Sequence, residues 1–143
     1  MTAKQYLRQA YRLNQKIDAD MSEKKRLHDR YISIRVQDLS SERVQSSPNN
    51  DGKVDTLAKI MELEAKINTE IDRYVALKEE IRESINKVED DTLKLILQKR
   101  YLNFEKWEKI AVDMDYSTRR ILQLHNKALS EVENIALNFT KKI

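Results

Sequence analysis

Apolar residues recur at steps of three and four along most of the chain, the spacing that lines one face of a helix. Tyr6, Ala10, Leu13 and Ile17 open a stripe that resumes at Leu27, Tyr31 and Ile34, predicting a helix over roughly 2–37. Asp20 and Lys24 interrupt it, with Met21 beside them as a substitute. The periodicity stops in LSSERVQSSPNND, where Ser, Asn and Pro accumulate. A loop is expected over about 38–53, with Pro48 and the Asn-Asn-Asp-Gly run as a mobile tip. A second stripe then runs from Val54, Leu57, Ile60, Leu63, Ile67 and Ile71 through Tyr74, Leu77, Ile81, Ile85 and Val88. Charged residues such as Glu62, Glu64, Lys66 and Glu70 lie between these positions as a solvated face. Two long amphipathic helices around one loop predict an antiparallel coiled-coil hairpin over 1–88, whose narrow seam favours self-association.

VEDD at 88–91 breaks the pattern, and Asp90 or Asp91 is suited to cap the next helix. That helix is expected over about 92–102, with Leu93, Ile96, Leu97 and Tyr101 inward, followed by helices over about 104–114 and 117–137. Residues 89–143 thus form a second, smaller domain.

Composition agrees with an all-α fold. The chain has one Gly and one Pro, too few for the repeated turns of a sheet protein. It contains no Cys, which removes disulfides and thiolate metal sites. The opening MTAKQYLRQAYRL has no continuous apolar run, so neither a secretory signal nor a membrane span is expected, and the location implied is the cytoplasm. The net charge of +3 is unevenly spread. Residues 53–92 hold seven basic against eleven acidic residues, and residues 93–143 ten against six. A basic excess at that end suits an anionic partner.

The chemistry concentrates in WEKIAVDMDYSTRRILQLHNKAL, residues 107–129. A helix-turn-helix template laid from Trp107 puts Ile110, Met114, Tyr116, Ile121 and Leu124 on buried positions. Ala111 falls where the two helices approach too closely for a larger side chain. Asp115 occupies the turn where Gly is usual; Asp tolerates a left-handed backbone better than most residues. Ser117 is a good N-cap for the second helix. That helix would lie in the major groove of DNA, presenting Thr118, Arg119, Leu122, Gln123, Asn126 and Lys127, with Ser117 at its start and Arg120 turned towards a phosphate. Arg pairs bidentately with guanine and Gln with adenine, and Leu122 can meet a thymine methyl.

The stretch LILQKRYLNFEKWEKIAVDMDYSTRRILQLHNKAL resembles region 4 of the sigma factors, where a Leu-x-x-Arg-Tyr helix leads into a Trp-or-Leu-Glu-x-Ile-Ala helix, a turn and a Ser-capped recognition helix. The whole chain, with SERVQSS in its loop, resembles small phage-encoded transcriptional regulators of the ArpU and RinA type. The resemblance implies binding of double-stranded DNA in a phage or prophage setting within a bacterial host cell, as an activator of late genes. It matches Thr118, Arg119, Leu122 and Gln123 to the base-facing positions of the sigma recognition helix. Leu122 departs from the Arg frequent there and Asp115 from the Gly, so promoter specificity does not carry over. No segment resembles the sigma region that melts promoters.

No catalytic, cofactor or metal signature competes. His28 and His125, the two histidines, lie far apart, and His125 is expected at the surface or on a phosphate. There is no Gly-rich phosphate loop and no supported Ser/His/Asp grouping, so no enzyme is expected. The expected function is promoter binding, with the hairpin for homodimerisation or higher oligomerisation, or for docking to host RNA polymerase. The alternatives are a protein-interaction module without specific DNA binding and a small-terminase-like DNA-packaging adaptor.

Overall fold

The computed structural model describes the backbone of residues 1–40 and 49–141 and, within them, all side chains except those of 40, 49–51 and 137–141. The described chain is all-helical: α1 (Ala3–Ser40), α2 (Asn49–Asn86), α3 (Asp91–Leu97), α4 (Trp107–Met114) and α5 (Thr118–Lys141). A π-helical turn, Gln98–Leu102, extends α3. Among the described residues no helix is long and apolar enough to cross a membrane.

The helices overrun the expected loop at both ends. α1 continues to Ser40, and the Asn-Asn-Asp-Gly run forms the first turn of α2 instead of a mobile tip. Asn, Asp and Gly cost least at a helix start, where the backbone N–H groups lack helical partners. One turn on, the Thr56 hydroxyl donates back to the Gly52 carbonyl at 2.7 Å. Residues 41–48, including Pro48, lie outside the described residues.

The chain packs as two compact units, one of Asn14–Arg73 and one of Met1–Leu13 with Tyr74–Ile143. In the first, Lys16 pairs with Glu70 at 3.6 Å, Lys24 with Glu64 at 3.1 Å, and Asp38 with Lys53. Numbers rise on α1 as they fall on α2, so the two segments run antiparallel. The inward positions differ from the apolar stripes in informative places. On α2 they are Thr56, Ile60, Leu63, Ile67 and Glu70, a regular alternation of four and three, while Val54, Leu57 and Ile71 are exposed. On α1, Asp20 is 8% exposed and faces inward, whereas Met21 is out in solvent. The polar residues therefore keep the helical phase and the apolar substitute does not. A one-residue shift turns a side chain by about 100°, which Met21 could join only by breaking the phase held by Ile17, Leu27 and Tyr31.

Asp20 and Glu70 form a buried acidic layer. Lys16 lies within 3.8 Å of Asp20 and Lys66 within 3.7 Å, so the two lysines neutralise the layer from its rim. One oxygen of each acid has no hydrogen-bond donor among the described residues. A buried charge with incomplete hydrogen bonding costs stability and is retained where it fixes register.

The second unit has its core where the early turns of α1, the end of α2, α3 and α5 meet. Leu7, Ala10, Ile81, Ile85, Leu93, Leu97, Ala128 and Val132 belong to it. Asp90 caps α3 as expected, its carboxylate accepting from Leu93 N–H at 3.0 Å. The expected helix over 92–102 changes character at Gln98. Asn103 N–H reaches back to the Gln98 carbonyl at 3.1 Å, and this wider turn brings two consecutive large side chains, Tyr101 and Leu102, into the core. The next helix begins at Trp107 instead of Phe104, because Phe104 takes a left-handed backbone with φ of 56°. Its ring packs edge-on against Tyr11 at 5.4 Å, which holds a conformation unfavourable for a bulky residue.

Replacing the acidic layer tests its role. Asp20→Leu with Glu70→Leu should raise the thermal midpoint of the hairpin unit, by about 1–4 kcal/mol in stability, since packed apolar residues of similar volume outperform buried charges. A lowered midpoint in calorimetry would show that the layer stabilises the fold.

Candidate nucleic-acid interface

α4 and α5 are joined by a three-residue turn built from the backbone upward. Asp115 is left-handed, with φ 60° and ψ 42°. Its N–H donates to the Val112 carbonyl at 3.2 Å, and Tyr116 N–H to the Ala111 carbonyl at 3.0 Å, the two bonds of a Schellman ending. The chain then turns directly into α5, where the Ser117 hydroxyl accepts from Arg120 N–H at 3.1 Å.

Ile110, Ala111 and Ile121 close on Ile96 as a small core, with Trp107, Met114 and Leu124 packed partly against it. Tyr116 is the exception among the expected buried positions: it is 42% exposed. The left-handed step at Asp115 sends the chain away from the core before α5 begins, and Tyr116 rides on that outer arc.

His125 corrects the expectation of a surface residue. It is 3% exposed and shares a 2.6 Å hydrogen bond with the Tyr101 hydroxyl. The Trp107 ring meets it edge-on at 4.5 Å, and the Arg100 guanidinium covers Trp107 at 4.4 Å. Burial, aided by the charges of Lys4 and Arg100, pushes the imidazole down to about 4. Burial holds the Tyr101 hydroxyl protonated, up to about 12. Both partners are therefore uncharged, and the tautomer of the imidazole sets which of them donates. The sequence signal was available: four-residue spacing from Ile121 puts His125 on the inward face.

An ion-pair ring ties α4 to the π turn. Lys99 and Lys109 each lie within 4.0 Å of both Glu105 and Asp113. Its hydrogen bond from Lys109 leads in holding the Glu105 carboxyl below its usual range, and the same bond raises the Lys109 amine.

Every sequence-predicted contact residue is exposed: Ser117, Thr118, Arg119, Arg120, Leu122, Gln123, Asn126 and Lys127. Arg120 reaches Gln123 at 3.5 Å, and no ion pair engages Arg119, Arg120 or Lys127 among the described residues. The first turn of α5 carries two arginines and no acid. Cations at a helix N-terminus oppose the helix dipole, where an acid would be favourable by about 0.3–1 kcal/mol. Farther along α5 the sign reverses. A largely apolar cleft of about 740 Å3 carries Glu133, Glu80 and Glu83 on its lining, with Lys87 as the one basic side chain among its described lining residues.

Comparison with known protein families, curated proteins and solved structures finds no match to this chain.

Two substitutions probe the architecture under this surface. Asp115→Gly should leave the fold as stable or stabilise it by up to about 1 kcal/mol, whereas the β-branched Asp115→Val should destabilise it by at least about that much, read from chemical denaturation. The His125 effect has a definite sign. A base whose folded value lies near 4 against about 6.5 unfolded makes the unfolded chain the better proton binder between those values, so stability is intact above pH 6.5 and falls as pH drops towards 4. The full loss is on the order of 3 kcal/mol, and His125→Gln should flatten that slope in denaturant midpoints taken from pH 7 to 4.

Proposed function

We propose that this protein is a DNA-binding transcriptional regulator in which α4 and α5 act as a helix-turn-helix and α5 enters the major groove. The observation that carries this reading is the exposed N-terminal half of α5. Arg119, Arg120, Gln123, Asn126 and Lys127 are all exposed with no ion pair among the described residues, and the two arginines stand in the first turn, at the positive end of a helix dipole. That concentration of positive charge is unfavourable for the isolated fold and favourable against phosphates. Arg119 and Gln123 would read base edges, Arg120 and Lys127 would hold phosphates, and Leu122, 41% exposed, would meet a thymine methyl. The resemblance to sigma region 4 and to phage regulators of the ArpU and RinA type agrees with this assignment and points to promoter DNA in a bacterial cell.

The antiparallel α1–α2 segments serve in this reading as a coiled-coil arm for self-association or for RNA polymerase. Exposed apolar side chains on both, among them Ile32, Val36, Val54 and Met61, support an arm that meets another protein. A second reading, a protein-docking module that binds polymerase without specific DNA recognition, draws support from exposed Val112 and Tyr116 beside the turn. Neither reading calls for catalysis.

Binding of the purified protein to phage promoter DNA and to random duplex, followed by fluorescence anisotropy over a salt series, separates the two. Arg119→Ala should relax the preference for promoter sequence by about 1–3 kcal/mol, while Lys127→Ala should weaken all sequences alike and flatten the salt dependence by about one phosphate contact. Polymerase binding with no salt-dependent DNA affinity would overturn the first reading in favour of the second.

A further inference from the structure

Sequence patterning drew attention to α5, but the early turns of α1 carry a second cationic row. Lys4, Arg8 and Arg12 stand at four-residue steps, all exposed, and the first acidic residue of the chain is Asp18. None of the three is ion-paired among the described residues. The row costs the helix stability, since like charges at four-residue spacing repel, and the acid that meets the start of α1 comes from α5, where Glu133 accepts from the Ala3 N–H at 3.4 Å. Helix formation therefore gives no reason for it.

Its position does. Ala3, Leu7 and Ala10, the inward residues between these cations, pack in one core with Tyr101 and with Ala128 of α5. Lys4 is near enough to act electrostatically on His125 and Arg8 on Tyr101. Asn126 adjoins His125 on the exposed side of α5. The N-terminal turns of α1 thus pack on the inward side of α5 around Ala128, in the same compact unit as the proposed reading surface.

We infer that Lys4, Arg8 and Arg12 form a phosphate-contacting rail that grips the backbone of duplex DNA beside the groove entered by α5. This rests on the DNA-binding reading above and extends it to a second element. A rail of cations along one helix adds affinity and register without sequence choice.

The test is the salt dependence of binding by the full chain carrying Lys4→Gln, Arg8→Gln and Arg12→Gln together. The charge-matched control is Lys25→Gln, Arg26→Gln and Arg30→Gln, three exposed residues of the other compact unit. The rail variant should bind promoter and random duplex at least about tenfold more weakly at moderate salt, with the salt exponent reduced by up to about 2.7 and the preference between sequences unchanged. Its thermal midpoint should not fall, since repulsion is relieved. Wild-type affinity and slope in the rail variant, with Arg119→Ala still relaxing preference, would overturn the rail and leave the α5 reading standing. An equal loss in the control would also overturn it, as an effect of total charge. No salt-dependent binding by the wild-type chain would overturn both readings.

Discussion

The hydrogen bond between Tyr101 and His125 is where the second unit is locked together. It joins the π turn to the middle of α5, and the Trp107 ring closes over it from α4. Neither partner can give up its role without loss: a charged histidine would be stranded among apolar groups, and an unpaired tyrosine hydroxyl would forfeit its partner in a dry site. Because three elements meet at one directional contact, α5 has little freedom to roll about its axis. A helix that is to present chosen side chains to a ligand needs such a restraint, since hydrophobic packing alone tolerates rotation more readily than a short hydrogen bond does.

The π turn is part of the same constraint. In a continuous α-helix from Asp91, Leu102 would stand about 140° around the axis from inward Leu97 and out of the core. Widening the turn keeps both inside, and the left-handed Phe104 then redirects the chain so that Arg100 can donate to the Glu105 carbonyl and cover Trp107. The irregular segment is therefore a device for aiming α4. The ion pairs of Lys99 and Lys109 with Glu105 and Asp113 reinforce that direction at the surface, where each contributes modestly.

Much of this was readable in the amino-acid order, and the failures share a cause. The Asp90 cap, the left-handed Asp115, the Ser117 cap and the small residue at 111 follow from local backbone chemistry, which a sequence expresses directly. The misreadings came where tertiary packing overrode residue type. Hydrophobicity put Met21, Val54 and Leu57 inside, but the helical phase belongs to Asp20, Thr56 and Glu70. Polarity put His125 outside, but a neutral imidazole hydrogen-bonded to the Tyr101 hydroxyl is compatible with burial. The π turn had no local signature, because its driving force is the joint burial of Tyr101 and Leu102 in a core assembled from distant segments.

The charge pattern follows a different logic from the packing. A sequence shaped for stability alone would set acids at the starts of α1 and α5 and bases at their ends. Here neither first turn carries an acid of its own, although Glu133 of α5 reaches the Ala3 N–H at the start of α1 at 3.4 Å, and Glu80, Glu83 and Glu133 gather around the cleft beside it. Each inversion costs only a few tenths of a kcal/mol to about 1 kcal/mol, small enough for the core to absorb. In the DNA-binding reading proposed above, this uneven charge would favour approach of a polyanion at the early turns of α5 over the cleft. Local frustration of this kind, in a unit whose core is otherwise self-consistent, is what the proposed reading explains, since a bound phosphate backbone would complete the charge balance.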